Sequence, residues 1–257
     1  MIKVGIYIDG ENVKRSGGYG LRYDVLMKLG SLGNSHILRA NSYNAEDQER
    51  IRTDPEYREN LKSYYSAIRR NGFKLVKKIV KYYHDENGSV SRKANADMDL
   101  AIDALVQSRN LDRIILLTGD GDFVRLVIAL QNQGCKVDVI GFNDVSKDLR
   151  EEVDHYYNGF LIPGLLPNES TESMTNGTPL FYNESKGYGK FQYYEFTDDA
   201  LEEREIFFHV THLMDRNEEV YLGEPNPVFE FTSVPNDRVP GEYMATEIKL
   251  IRSGKNV

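Results

Sequence analysis

The sequence predicts a three-layer α/β domain built on a parallel sheet, followed by a small all-β barrel. Three observations predict it. Over residues 1–162, strand-length apolar runs alternate with helical periodicity, which calls for a mostly parallel sheet with helices on both faces. The composition then changes across residues 163–176, where Gly164, Pro167, Asn168, Ser170, Thr171, Ser173 and Thr175 leave little to bury and read as a linker. Residues 177–257 carry five short aromatic and β-branched runs (180–182, 190–196, 206–210, 228–233 and 243–250) punctuated by proline and glycine, the pattern of a small barrel.

In order, residues 3–8 form an apolar strand that ends in Asp9-Gly10-Glu11-Asn12. Ser16-Gly17-Gly18-Tyr19-Gly20 lacks the Lys-Ser/Thr ending of a P-loop and reads as a flexible loop. Residues 23–32 look helical and 36–43 look like a strand. Thr53-Asp54-Pro55 puts a capping residue before a proline, so a helix runs over 55–71 and stops at Gly72. Residues 73–83 return as a strand bearing Lys74, Lys77, Lys78 and Lys81, with Arg92 and Lys93 beyond its turn. Two readings of these cations stand side by side: an edge strand guarded against aggregation, or a rim that contacts phosphates. Residues 96–106 are an amphipathic helix whose apolar face is Met98, Ala101, Ile102, Leu105 and Val106. Asp97 falls in its first turn, where a carboxylate is favoured electrostatically.

Ile114-Ile115-Leu116-Leu117 is a fully buried strand. Thr118-Gly119-Asp120-Gly121-Asp122 then leads into a helix over 123–131, closed by Gly134. Asp120 and Asp122 thus sit where a strand meets a helix at the carboxyl edge of the sheet, the edge at which open α/β folds bind ligands. Two carboxylates in a glycine-loosened turn suit a hard divalent cation. Asp9 repeats the arrangement at the end of the first strand. A strand over 136–142, a short helix over 145–153 and a last strand at 160–162 complete the domain.

The apolar fraction of 40% supports real cores, and no apolar run approaches a membrane span. The first residues enter a strand with no signal-peptide pattern. The single cysteine, Cys135, cannot form an internal disulfide, which fits a reducing cytoplasm. A formal net charge of −8 argues against indiscriminate coating of nucleic acid, so such a site must be local or bring its own cations.

Together and in this order, Tyr7-Ile8-Asp9-Gly10-Glu11-Asn12, the segment from Lys93 through Asp97 to Asp103, and Thr118-Gly119-Asp120-Gly121-Asp122-Phe123 resemble the NYN domain of the PIN-like nuclease superfamily. The likeness covers about residues 1–162. It implies a Rossmann-like sheet and a metal-dependent ribonuclease. Asp9, Asp97, Asp120 and Asp122 match its catalytic, metal-holding positions; Asn12 and Asp103 match supporting ones; Asp99 matches none. Phosphodiester hydrolysis needs an activated water and stabilised charge, which one or two Mg²⁺ or Mn²⁺ ions supply. The cations also let an acidic protein accept a polyanion. No histidine or cysteine cluster offers a zinc site. Two other classes stay open. Gly119-Asp120-Gly121 also resembles a loop of haloacid-dehalogenase-type phosphatases, whose chemistry needs a second aspartate where this chain has Glu11. A non-cleaving RNA-binding or regulatory protein can use the same fold.

Gly177-Thr178 and Phe181-Tyr182-Asn183-Glu184-Ser185-Lys186-Gly187-Tyr188-Gly189 resemble the opening of a cold-shock domain. Ile206-Phe207-Phe208-His209-Val210 resembles its second ribonucleoprotein motif, and residues 245–250 its closing strand. Such domains are OB-fold barrels that stack single-stranded bases on surface aromatics. The resemblance implies stacking at Phe181, Tyr188, Phe207 and His209. Tyr182, Phe191 and Phe208 have the opposite parity and read as barrel core. Lys190 and Val210 replace aromatics of the family, and residues 193–205 make a long acidic connection, so binding should be weaker or differently selective. A barrel that mediates homodimerisation is the alternative. The combined expectation is a cytoplasmic ribonuclease with no membrane association. Its barrel presents single-stranded RNA, with Lys77, Lys81, Arg92, Lys93 and Lys190 adding charge contacts.

Overall fold

The structure, a computed structural model, describes residues 1–84, 90–94, 96–167, 174–237 and 239–254; for 83, 84 and 90–93 it describes the backbone alone. The chain divides into two compact units, Met1–Tyr157 and Asn158–Val257.

In the first unit, β1 (Ile2–Asp9), β2 (Ser35–Glu46) and β3 (Lys74–Ile79) join one sheet, whereas β4 (Lys81–His84) and β5 (Val90–Lys93) pair separately as a hairpin. With β6 (Arg113–Leu117), β7 (Lys136–Gly141) and β8 (His155–Asn158), the sheet has the order β3-β2-β1-β6-β7-β8. β1 runs parallel to both β2 and β6, β2 to β3, and β6 to β7. The side chains of Val4, Ile6, Ile8, Ile114, Leu116 and Leu117 are sealed from solvent, as central strands of a covered parallel sheet require. From β1 the chain builds towards β2 and β3 on one side and, from β6, towards β7 and β8 on the other. The β1/β6 junction is therefore the topological switch point, and its carboxyl edge opens a crevice.

Seven helices connect the described strands: α1 (Gly10–Arg15), α2 (Tyr23–Gly30), α3 (Gln48–Thr53), α4 (Pro55–Arg70), α5 (Ala96–Gln107), α6 (Val124–Asn132) and α7 (Lys147–Glu152). α4 starts as its sequence dictates, with the Tyr57 amide donating to Asp54 at 2.9 Å and Pro55 in the first turn. α1 and α3 have no periodic signature because six residues are too few to display one.

Three expectations are corrected. The strand expected over 73–83 breaks at Val80, whose amide donates to the Glu46 carbonyl at 3.0 Å while the chain turns into the β4–β5 hairpin. The last strand is β8, not residues 160–162. Leu161 and Ile162 are buried within turns, and three apolar residues specify burial without specifying a period. α5 packs on β1 and β2 through Ala96, Leu100 and Ala104, leaving Met98, Ile102 and Val106 more than half exposed. The helix has two apolar faces, and the sheet takes the one whose alanines let the backbone come close.

In the second unit, β9 (Thr175–Asn183), β10 (Tyr188–Phe196), β11 (Leu201–His209), β12 (Val228–Pro235) and β13 (Tyr243–Arg252) close a barrel in the order β10-β11-β13-β12-β9. The first-second-third-fifth-fourth closure, with β11 and β13 parallel, is the OB-fold topology. Phe191, Phe208, Phe229 and Phe231 fill its interior, with the Phe191 and Phe208 rings 4.1 Å apart. Val210 is buried in the same cluster, so its departure from the cold-shock pattern falls inside the barrel rather than on its binding face. Of the stretch read as a linker, Leu165 is buried, Thr175 and Asn176 belong to β9, and residues 168–173 lie outside the described residues. No helix among the described residues is long and apolar enough to cross a membrane.

Candidate functional site

Asp9 ends β1 and caps α1, its Oδ1 accepting the Asn12 amide at 3.0 Å. Such capping by aspartate is why the strand turns into a helix at this position. Gly10 is required here, since a Cβ would stand 2.4 Å from Asn44 Oδ1 and 2.7 Å from the Tyr43 carbonyl. Across the switch point, Asp120 caps the turn after β6 by accepting the Asp122 amide at 3.0 Å. Two contacts fasten these turns together. Asn12 Oδ1 accepts the Gly119 amide at 2.8 Å, and the Thr118 hydroxyl lies 3.4 Å from Asp9 Oδ2 while accepting the Asp120 amide at 3.2 Å. Asn12 thus holds both acidic turns in register.

Asp97, in the first turn of α5, completes the wall of a cavity of 640 Å³ that Asp9 and Asp120 also line. The rim carries Lys14, Arg15, Arg50 and Tyr57, with the Arg50 guanidinium 4.2 Å from the centre of the Tyr57 ring. Burial pushes the Asp9 carboxyl up to about 6, against the pull of the Asn12 amide, and the charges of Asp97 and Asp120 add to the rise. Asp97 is open to solvent on one side, yet partial desolvation in the cavity wall also raises it, followed by repulsion from Asp120. Arg15 opposes that rise and Asp122 adds to it. Asp122 itself is exposed and does not line the cavity, although its charge is felt there.

The donor set is all oxygen, suiting Mg²⁺ or Mn²⁺. Mutual repulsion gives a cation something to relieve. The carboxylates are spread around the cavity rather than closed on one point: among the described residues, no three acidic, histidine or cysteine side chains are gathered tightly enough to clasp an ion. The residues fit a hard cation in chemistry and in charge.

The model of the NYN domain family matches residues 3–163. The chain belongs to that family. Low amplitude and bright protein LabA of Synechococcus elongatus is 29% identical over 106 residues, 40% of this chain and 55% of LabA, so the chain spans about half of that relative. A solved structure of a protein of unknown function, VPA0982 of Vibrio parahaemolyticus, is 25% identical with a TM-score of 0.48, covering 60% of this chain and 91% of that one.

The NYN domain places the remaining expected residues apart from the cavity. Asp103 accepts the Tyr43 hydroxyl at 2.8 Å, and Tyr43 pairs with Asp9 across β1 and β2, so Asp103 braces the neighbour of a site residue. Asp99 is tied to Lys78 at 2.8 Å. Lys77 on β3 is paired with Glu46 at 2.6 Å and lies over the Tyr65 ring, so its charge is largely spent. Lys81 stands exposed on the hairpin. The side chains of Arg92 and Lys93 lie outside the described residues. Sequence reading missed Lys14, Arg15, Arg50 and Tyr57. Lys14 and Arg15 were within reach, since recognising α1 after Asp9 would have brought them beside the site. Arg50 depends on β2 running on to Glu46 and on α3, neither of which the pattern signalled.

On the OB-fold barrel, Phe181, Lys190 and Phe207 form one cross-strand row, and Tyr188 pairs with His209. The Tyr188 ring stacks on Phe207 at 6.0 Å and meets Phe181 edge-on at 6.1 Å. Phe181 is 46% exposed. Lys190 is bonded to Glu205 at 2.8 Å. His209 Nδ1 accepts the Thr211 amide at 3.2 Å, which fixes the ring's orientation.

Proposed function

We propose that this protein is a divalent-metal-dependent ribonuclease acting on single-stranded RNA, and that its barrel helps to hold the strand. One observation carries the reading: Asp9, Asp97 and Asp120, from three separate elements, line one cavity at the switch point of a NYN-family sheet. Asp9, Asp97 and Asp120 would hold the ion, with Asp122 adding negative charge from the next turn. A bound Mg²⁺ or Mn²⁺ would activate water and neutralise charge on the phosphate. The chain's own residues supply the rest. Asn12 and Thr118 keep the acidic turns at fixed separation. Arg15, with Lys14 and Arg50 that are paired with Glu11 at 3.2 Å and Asp54 at 3.4 Å, sets positive charge among the acidic lining residues, which steers phosphates towards the site.

The barrel's aromatic cluster of Phe181, Tyr188 and Phe207 supports single-strand stacking, which is tolerant of base identity. The test is cleavage of mixed-sequence single-stranded RNA with Mg²⁺ or Mn²⁺, beside a chelator and an Asp120→Asn control. Metal-dependent cleavage that the variant lacks is the expected result. RNA binding without cleavage would leave a non-cleaving RNA-binding protein, and hydrolysis of small phosphoesters alone would return the phosphatase reading.

A further inference from the structure

Beside the acidic cavity lies a second one of 370 Å³, of opposite character. Val13, Leu21 and Tyr23, all buried, line it with Tyr64 and Ala67 of α4. Two of its three phenol groups are already committed: the Tyr23 hydroxyl donates to Tyr64 at 3.1 Å, and Tyr64 donates to Asn44 Oδ1 at 3.0 Å. The pocket's inner wall therefore offers apolar and aromatic surface with the hydroxyls of Tyr23 and Tyr64 in use. Its volume falls at the small end of ligand pockets, about 300–1,000 Å³.

Two features say what kind of group belongs there. Lys14 lines both cavities, 3.2 Å from Glu11 on one side and 4.7 Å from the Tyr64 ring centre on the other. An occupant of the apolar pocket is thus continuous with whatever lies over the acidic floor. The second feature is the glycine stretch that the sequence marked as a loose loop. It is a tethered turn: the Gly18 amide donates to Val13 at 2.8 Å, the Asn143 amide donates to Ser16 at 3.0 Å, and a Gly18 Cβ would stand 2.5 Å from Val13. Gly17 and Gly20 take φ of 97° and 74°, left-handed conformations that glycine adopts without strain. Between them Tyr19 lines the pocket while 70% exposed, with no hydrogen bond or ring partner among the described residues.

We propose that this pocket receives one unstacked nucleobase of the RNA strand whose backbone crosses the acidic cavity. Tyr19 stacks on the base, and Lys14 exchanges its partly exposed partner Glu11 for the phosphate that links the base to the scissile position. The inference rests on the reading of the acidic cavity as a phosphodiester site and adds a base-holding subsite to it. A bare phosphate has no reason to enter an apolar slot, and an aliphatic ligand has no reason to abut a charged one. A nucleotide, apolar-faced at one end and anionic at the other, matches both. Because the pocket presents faces, it accepts any base, with purines held more tightly through their larger stacking area.

The test uses the full chain with thiouridine-substituted single-stranded RNA and Mg²⁺, photocrosslinked and mapped by peptide mass spectrometry. The variants are Ala67→Leu, which fills the pocket with a good helix former, and Tyr19→Ala at an exposed site. Crosslinks at residues 19–23 or at Tyr64 are expected, lost in Ala67→Leu while crosslinks to the barrel persist. In cleavage assays both variants should raise KM about tenfold, the order expected for one lost base–aromatic stack, with little change in kcat. Crosslinks confined to the barrel, or pocket crosslinks that survive Ala67→Leu, would overturn the proposal. The two readings fail separately. RNA cleavage without these crosslinks removes the base subsite alone, whereas these crosslinks without cleavage remove the catalytic reading and keep the subsite.

Discussion

Asp9→Asn offers the sharpest check on the acidic cavity because it should disable the site and strengthen the fold together. The wild-type carboxyl sits in a place that prefers it neutral, raised from 3.8 to about 6 by burial first and by the neighbouring charges of Asp97 and Asp120 after it. At about 1.4 kcal/mol per pKa unit, the ionised group costs the metal-free native state on the order of 3 kcal/mol. Asparagine keeps an oxygen for the Asn12 amide and is as good an N-cap, so the start of α1 survives. Its amide must find a partner near Thr118, which leaves about 1–3 kcal/mol of net stabilisation.

The sign with pH follows from the raised value. The native state takes up the Asp9 proton at higher pH than the unfolded chain does, so the wild-type penalty is full above about pH 6 and fades towards about pH 4. The variant's advantage should therefore be largest near about pH 7.5 and shrink on acidification. The assay is urea unfolding in chelator, followed by far-ultraviolet circular dichroism because the chain has no tryptophan. Added Mg²⁺ should stabilise the wild type and leave the variant nearly unmoved, reversing the order. An Asp9→Asn protein less stable than wild type in chelator, or one whose advantage grows with acid, would refute the picture of a repulsive site awaiting a cation.

Other outcomes test the rest of the structure. Phe207→Ala should cost about 1–3 kcal/mol of single-stranded RNA affinity by fluorescence anisotropy, with Tyr188→Ala similar because the two rings stack. Lys190→Ala should lower the salt dependence of binding only slightly, since Glu205 already holds that ammonium. Arg113→Ala should destabilise the sheet by about 3–5 kcal/mol in urea titrations. It would strip Asp138, fully buried on β7, of the guanidinium 2.6 Å away, with Lys136 at 3.9 Å the remaining ion-pair partner among the described residues. On α5, Leu100→Ala should cost about 2–5 kcal/mol and Ile102→Gln stay within about 0.5 kcal/mol, the reverse of what the widest apolar stripe alone would suggest.

Sequence by itself determined the central strands β1 and β6 and the carboxylates at their ends. Buried runs such as Ile114-Ile115-Leu116-Leu117 admit one environment, and an aspartate just after such a run must stand at the carboxyl edge. The parity of Tyr188, Phe191, Phe207 and Phe208 likewise separated barrel face from barrel core, because strand side chains alternate with a period of two. Only tertiary structure decided which face of α5 is buried, since both faces are apolar and helical spacing does not record which one fits against β1 and β2. It also decided the fate of the lysines. Lys77 and Lys190 look like free cations in the chain, yet Glu46 and Glu205, 31 and 15 residues away in the chain, neutralise them across strands. Arg50 was hidden for the same reason: a six-residue helix leaves no period to read, and what it places beside Asp9 depends on where the sheet edge lies.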